Sequence, residues 1–182
     1  MLVPFLLRSG FVSSGKILTM FIRLAKPQDI EPILDVIEAA RQLMRESGNT
    51  AQWTNGYPAA HDLLTDMDKS AGFVVEVDEV IVGYFALYRG YRIEPTYEEI
   101  EAGDWLNDLP YAVVHRMASN GRYKGIAQAV FDFAFTCSNT VRVDTHRDNV
   151  PMKALMQKLG FIYCGVIYVS DGTPRLAFQL TK

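Results

Sequence analysis

Between residues 111 and 160 the apolar pattern reads strand, helix, strand, helix, and this order restricts the chain to folds that mix both elements around one sheet. "YAVVHRMA" (111–118) is an apolar strand run and "GIAQAVFDFAF" (125–135) a helix. "TVRVDT" (140–145) is the next strand, and "VPMKALMQKLG" (150–160) a helix that Gly160 ends. Upstream, Phe21 to Ala25 reads as a first strand, and Asp29 is placed to cap a helix. In that helix Ile33, Ile37, Ala40 and Met44 recur at helical spacing until Gly48. Ala59 to Asp68 forms a short second helix. "GFVVEV" and "VIVGYFALY" flank Asp78-Glu79 as a hairpin, and "FIYCGVIYV" and "RLAFQL" are joined across "SDGT". Hairpins at both ends predict a mixed α/β sheet rather than a purely parallel one. Residues 89–110 are polar, acidic and broken by Pro95 and Gly103, and are expected to form an ordered insertion loop of the long, functional kind.

The 182 residues suffice for one domain with a full core. A net charge of −3 implies no basic face, so nucleic acid is not expected as a partner. No run approaches the roughly 20 apolar residues of a membrane span, so no membrane partner is expected either. Cys137 and Cys164 are too few for a disulfide framework and are expected to pack as small hydrophobes, with the cytoplasm as the default compartment. Residues 1–19 read as an extension upstream of a domain over 20–182, with a docked extra strand or helix as the alternative.

The turn "GRYKGIA" at 121–127 carries more than a strand-to-helix connection needs. A helix starting near Gly125 presents unpaired N–H groups and the positive end of its dipole. Gly121 and Gly125 permit close backbone approach, while Arg122 and Lys124 add charge, so the segment suits a phosphate group. Its spacing matches neither the mononucleotide nor the dinucleotide glycine motif.

Arg-x-x-Gly-x-Ala at 122–127 resembles the pyrophosphate-binding loop of the GNAT superfamily of acetyl-CoA-dependent N-acetyltransferases. "NVPMKALMQKLGF" (149–161) resembles the superfamily's Asn-led helix, and "MFIRLAKPQDIEPIL" (20–34) its first strand and helix. The resemblance implies a GNAT-like fold, a central mixed sheet with two splayed strands flanked by helices. It implies acetyl-CoA as cosubstrate, with the pantetheine arm along Met117, Ala118 and Ser119. The pyrophosphate would lie on Arg122, Tyr123, Lys124, Gly125, Ile126 and Ala127, and the helix carrying Asn149 and Lys153 would flank the arm. It also implies pairing of two copies through edge strands. One position departs from the family: Met156 stands where many members carry the tyrosine that protonates the departing thiolate.

Acetyl transfer to an amine needs a base, a donor for the oxyanion and a leaving thiolate. A strand N–H near Met117 or Ala118 suits the donor role. His115, which shares a period-2 face with Val113 and Met117, and His146, on the face of Asp144, are the candidate catalytic residues. Each has an alternative reading, as a hydrogen-bonded core histidine and as a loop residue packed on Asp144 respectively. Tyr163 and Tyr168 can substitute for the missing acid or simply pack, and no acid is assigned. Arg116 and Asp144, charged residues inside apolar strands, require partners. The histidines lack ligand spacing, so no metal is expected. Trp53, Tyr57, Glu98 and Glu99 suit a cationic amine through ring faces and carboxylates, against the alternative of a solvated acidic loop. The expected function is N-acetylation of a small-molecule or peptide amine. The alternative is an acyl-CoA-binding sensor or interaction module without turnover.

Overall fold

The structure, a computed structural model, describes residues 9–13 and 16–182, with side chains from residue 19. Residues 1–8, 14 and 15, part of the expected extension, lie outside the described residues. The fold is a mixed sheet flanked by helices, and the chain divides into two compact units.

Among the described residues, the first unit comprises those up to Leu43, with Asn55–Leu87 and His115–Phe133. Its strands β1 (Ser9–Ser13), β2 (Lys16–Leu24), β3 (Gly72–Val77) and β4 (Val80–Gly90, which leaves the unit after Leu87) pair antiparallel in chain order. The latter half of β5 (Tyr111–Ser119) follows them. Strand β2 begins at Lys16, four residues ahead of Met20, and β1 pairs along it from Ser9↔Met20 to Ser13↔Lys16. The β3–β4 hairpin turns on Asp78 and Glu79, both at positive φ (49° and 66°), the backbone of a two-residue hairpin turn. Helices α1 (Ile30–Glu46) and α2 (Ala60–Asp68) bury Ile33, Val36, Ile37 and Ala40, and Leu63 and Asp66. Asp29 does not cap α1 as expected. Its carboxylate accepts the Lys26 N–H at 2.8 Å and pairs with Arg23, closing a single 3-10 turn ahead of the helix. Phe73 stacks on Phe85 at 5.3 Å, with Phe133 tilted against Phe73 at 5.1 Å.

The second unit comprises Met44–Thr54, Tyr88–Val114 and Ala134–Lys182. Its strand order is the first half of β5, β6 (Thr140–Thr145), β8 (Pro174–Thr181) and β7 (Ile162–Tyr168). The β5–β6 pair is parallel, through Ala112↔Val141 and Val113↔Arg142, and the other pairs are antiparallel. Tyr97, Tyr111, Val113, Ile167 and Ala177 form its buried cluster. The expected insertion loop is ordered into this core: Glu101 bridges Val166, and Trp105 packs on Tyr97 at 5.0 Å. The buried Arg142 guanidinium lies between the Trp105 and Tyr111 rings, at 4.3 and 4.2 Å, and donates to Asn107 O at 2.6 Å. Aromatic faces and a carbonyl thus meet a charge that burial would otherwise penalise. Helix α4 (Val150–Leu159) closes on Gly160. Helix α3 (Ile126–Cys137) begins in the first unit and ends in the second.

Candidate active site

Strand β5, the loop after it and the start of α3 lie in the first unit. Ala129 N–H donates to Gly125 O at 2.9 Å, so Ile126, Ala127 and Gln128 occupy the first turn, whose N–H groups have no intrahelical acceptor. Gly125 has φ +86°, and a Cβ there would point into open space, with nothing within 4 Å. Gly121 has a different task. A Cβ at that position would come 2.9 Å from Leu43 Cδ1, so glycine lets the loop lie on α1. Arg122, Lys124 and Gly125 are exposed, Tyr123 and Ala127 half-buried, and Ile126 buried. Asn120 fastens the loop from both its ends, its N–H on Val82 O at 3.0 Å and its Oδ1 accepting the Arg122 N–H at 3.1 Å. Open space at a left-handed glycine, two exposed cations and a helix N-terminus suit a phosphate group.

Along β5, Met117 and Ser119 are half-buried and Ala118 buried. The half-buried His115 precedes Arg116, whose φ is +51°. A left-handed residue inside a strand interrupts its two-residue alternation, so the face shared by Val113 and His115 does not carry on to Met117. Arg116 meets the need for a partner through Asp66 of α2. Its Nε donates to Oδ2 at 2.8 Å, and its Nη2 donates to Oδ1. Asp66 is fully buried and also accepts the Tyr84 hydroxyl at 2.6 Å. The third guanidinium nitrogen, Nη1, donates to the Tyr57 hydroxyl oxygen at 3.1 Å. Tyr57 is 40% exposed, and its loop is gripped by Arg41, which donates to the carbonyls of Gly56, Tyr57 and Pro58.

His146, Asn149, Lys153, Trp53, Glu98 and Glu99 belong to the second unit. His146 is 7% exposed, and its Nδ1 accepts the Asp148 N–H at 3.2 Å. In the neutral ring that bond puts the proton on Nε2. Asp144, the carboxylate expected to orient this ring, accepts the Tyr97 hydroxyl at 2.8 Å, while Asp148 Oδ2 lies 3.4 Å from His146 Nδ1. Burial against Asp144 pushes the Tyr97 phenol well above its usual range. Asn149 caps α4, its Oδ1 accepting the Met152 N–H at 3.2 Å, and its Nδ2 donates to Gln52 Oε1 at 3.1 Å. Lys153 is half-buried one turn on. Trp53 is half-buried, and Glu98 and Glu99 are exposed. Met156 is fully buried, a core residue of α4. Tyr163 is 49% exposed, and the exposed Tyr168 donates its hydroxyl to Glu101. Among the described residues no three His, Cys, Asp or Glu side chains are grouped to hold a metal ion, and no helix is long and apolar enough to cross a membrane.

Burial, followed by the charges of Arg175 and Arg147, lowers the pKa of His146. The unfolded chain, with a histidine pKa of about 6.5, therefore binds the proton first as pH falls. The stability contribution is complete above that value and is lost as pH drops toward the folded pKa. His146→Gln should accordingly flatten the decline of the urea midpoint between about pH 7 and pH 5. An equally steep decline in the variant would assign it to other groups.

Asp66 and Tyr84 were not singled out by the sequence, although Arg116 inside an apolar strand signals that a carboxylate must meet it. The molecule is a mixed-sheet α/β domain with a glycine-and-cation loop ahead of a helix. The sequence profile of the acetyltransferase (GNAT) family matches residues 36–161, and the chain belongs to this family, which uses acetyl-CoA. A solved GNAT-family acetyltransferase from Streptococcus agalactiae 2603 is 35% identical, with 90% of this chain and 95% of that one covered and a TM-score of 0.80. One from Listeria monocytogenes 4b F2365 is 18% identical, with 96% and 100% covered and a TM-score of 0.68. The protein yncA from Salmonella typhimurium, solved with its cofactor acetyl-CoA, is 14% identical, with 89% and 93% covered and a TM-score of 0.55. These last two share the fold. No functionally curated protein matches the chain.

Proposed function

We propose that the chain is an N-acetyltransferase acting on a primary amine of a small molecule or peptide, by direct attack with both substrates bound. The observation that carries this reading is the loop from Arg122 to Ala127, with open space at the left-handed Gly125 beside the first turn of α3. Acetyl-CoA supplies an acetyl group on a thioester. The loop holds its pyrophosphate, and Met117 to Ser119 lie along the pantetheine arm. A backbone N–H at Met117 or Ala118 donates to the thioester oxygen as charge builds there. His115 takes the proton the amine loses as the C–N bond forms, and the C–S electrons leave with the thiolate. His146, with its Nδ1 lone pair engaged, offers an Nε2–H donor rather than a base. Asn149 and Lys153 bear on the cosubstrate through α4, Asn149 by setting the helix start. A thiol pKa near 8.5 lets the thiolate leave without an acid at Met156.

Binding of acetyl-CoA should raise the melting temperature, by about 2.7 kcal/mol of stabilisation at a hundredfold excess over Kd. Gly125→Glu should abolish this shift, because it sets a carboxylate against the pyrophosphate and forces φ +86° on a residue with a Cβ. A shift as large as wild type in that variant would remove the loop from the site. Release of free CoA thiol with a panel of amines then separates turnover from a second reading, an acyl-CoA-binding module, which the buried Met156 favours.

Trp53, Tyr57, Glu98 and Glu99 are assigned to recognition of a cationic amine, by ring faces and carboxylates. Trp53→Ala, and neutralisation of Glu98 and Glu99, should each raise the amine KM severalfold with the acetyl-CoA KM nearly unchanged. Wild-type amine KM in both variants, or use of acidic acceptors only, would discard this assignment.

A further inference from the structure

We propose that Asp66 and Arg116 form a positioning device for β5. Asp66 holds the guanidinium, the held side chain fixes the left-handed kink of its own backbone, and the kink sets the direction of the N–H groups that follow. The inference rests on the proposed transfer at Met117 and Ala118. A side chain with a Cβ seldom adopts φ +51°, and it persists there only when the surroundings dictate it. At Arg116 they do. Nε, Nη1 and Nη2 are each engaged, by Asp66, Tyr57 and Asp66 respectively, so the side chain has no freedom to swing. Asp66 is itself immobilised by full burial in α2 and by the Tyr84 hydroxyl. Three residues beyond the kink's neighbour, the Asn120 N–H is fixed on Val82 O. Met117, Ala118 and Ser119 therefore lie between two fixed points. Because Asp66 matches the charge of Arg116, the guanidinium serves geometry rather than anion capture. Strands without such a kink present successive N–H groups to opposite sides, whereas a kinked one can depart from that alternation.

The test uses acetyl-CoA labelled with carbon-13 at the thioester carbonyl and the infrared carbonyl stretch of the bound form. Wild-type protein should show the band shifted to lower frequency relative to free acetyl-CoA, the mark of N–H donation to the oxygen. Arg116→Lys and Asp66→Asn should return the band toward the free value and lower kcat about tenfold or more, with the acetyl-CoA KM changed less than about threefold. Arg116→Lys keeps a cation beside Asp66 and gives a folded sample where Asp66→Asn is too unstable. Tyr84→Phe removes one restraint on the same carboxylate and leaves the ion pair, so it should move the band and kcat in the same direction but by less than Asp66→Asn. A wild-type band in Arg116→Lys and in folded Asp66→Asn overturns the positioning role while leaving acetyl transfer intact. An unshifted band in wild-type protein overturns the donor role of β5 as well, and the positioning role with it.

Discussion

His115→Ala should lower turnover about a hundredfold while acetyl-CoA still raises the melting temperature as in wild type. A positioned base contributes about 10²- to 10⁴-fold, because an ammonium cannot attack a carbonyl until its proton has somewhere to go. The base touches the amine and not the nucleotide, so binding and rate separate. His115 stands on β5 immediately before Arg116 and the proposed oxyanion donors. The paired variant, His146→Ala, should lose less, because the Nδ1 lone pair of that ring is already engaged by the Asp148 N–H. Single-turnover rates with a fixed amine are the measurement. A His115→Ala rate within about twofold of wild type would end the general-base assignment, and a larger loss in His146→Ala would transfer it.

The second large effect is on stability. Asp66→Ala should destabilise the protein by about 3–5 kcal/mol, the range for removing one partner of a buried ion pair. The Asp66 side chain is 1% exposed and that of Arg116 15%, so water cannot replace the lost carboxylate at either end. The Tyr84 hydroxyl loses the same acceptor. Against a total of about 5–15 kcal/mol, such a loss removes a large share of the stability. Tyr84→Phe should cost only about 1 kcal/mol, since it deletes a neutral donor and leaves the ion pair whole. Denaturant titration of both variants decides the matter. A loss under about 1 kcal/mol for Asp66→Ala would mean that the pair stands in high dielectric.

The elements most readily legible in the sequence are those whose apolar period is long and uninterrupted. Helix α1 announces itself through Ile33, Ile37 and Ala40, and α4 through its Asn149 start and Gly160 stop. The loop before α3 is legible for a different reason: glycines and cations act locally, so spacing alone carries their chemistry. The kink at Arg116 left no trace, because "HRM" contains no glycine or asparagine and the cause lies fifty residues away in α2. Helical phase could have found that cause, since Asp66 follows the buried Leu63 by three residues and shares its face. The partner of Asp144 was equally remote, Tyr97 lying 47 residues earlier in a stretch that reads as a loop. Strand β1 lies in the segment that reads as an upstream extension, for which a docked strand or helix is the alternative, and the start of β2 is hidden beside it.

The Trp105 surroundings have a consequence for spectroscopy. The chain has two tryptophans, Trp53 and Trp105. The Trp105 indole donates to Tyr97 O at 2.8 Å, and its ring is covered by Arg142. Trp53 stands in the loop after α1, at the proposed acceptor site. One emitter is therefore bound into a core and the other lies where an amine is expected. With Trp53→Phe the remaining fluorescence reports the packing of the 92–110 segment alone. The difference from wild type isolates the signal of Trp53, so the chain carries its own reference lamp and, at the proposed acceptor site, its own probe.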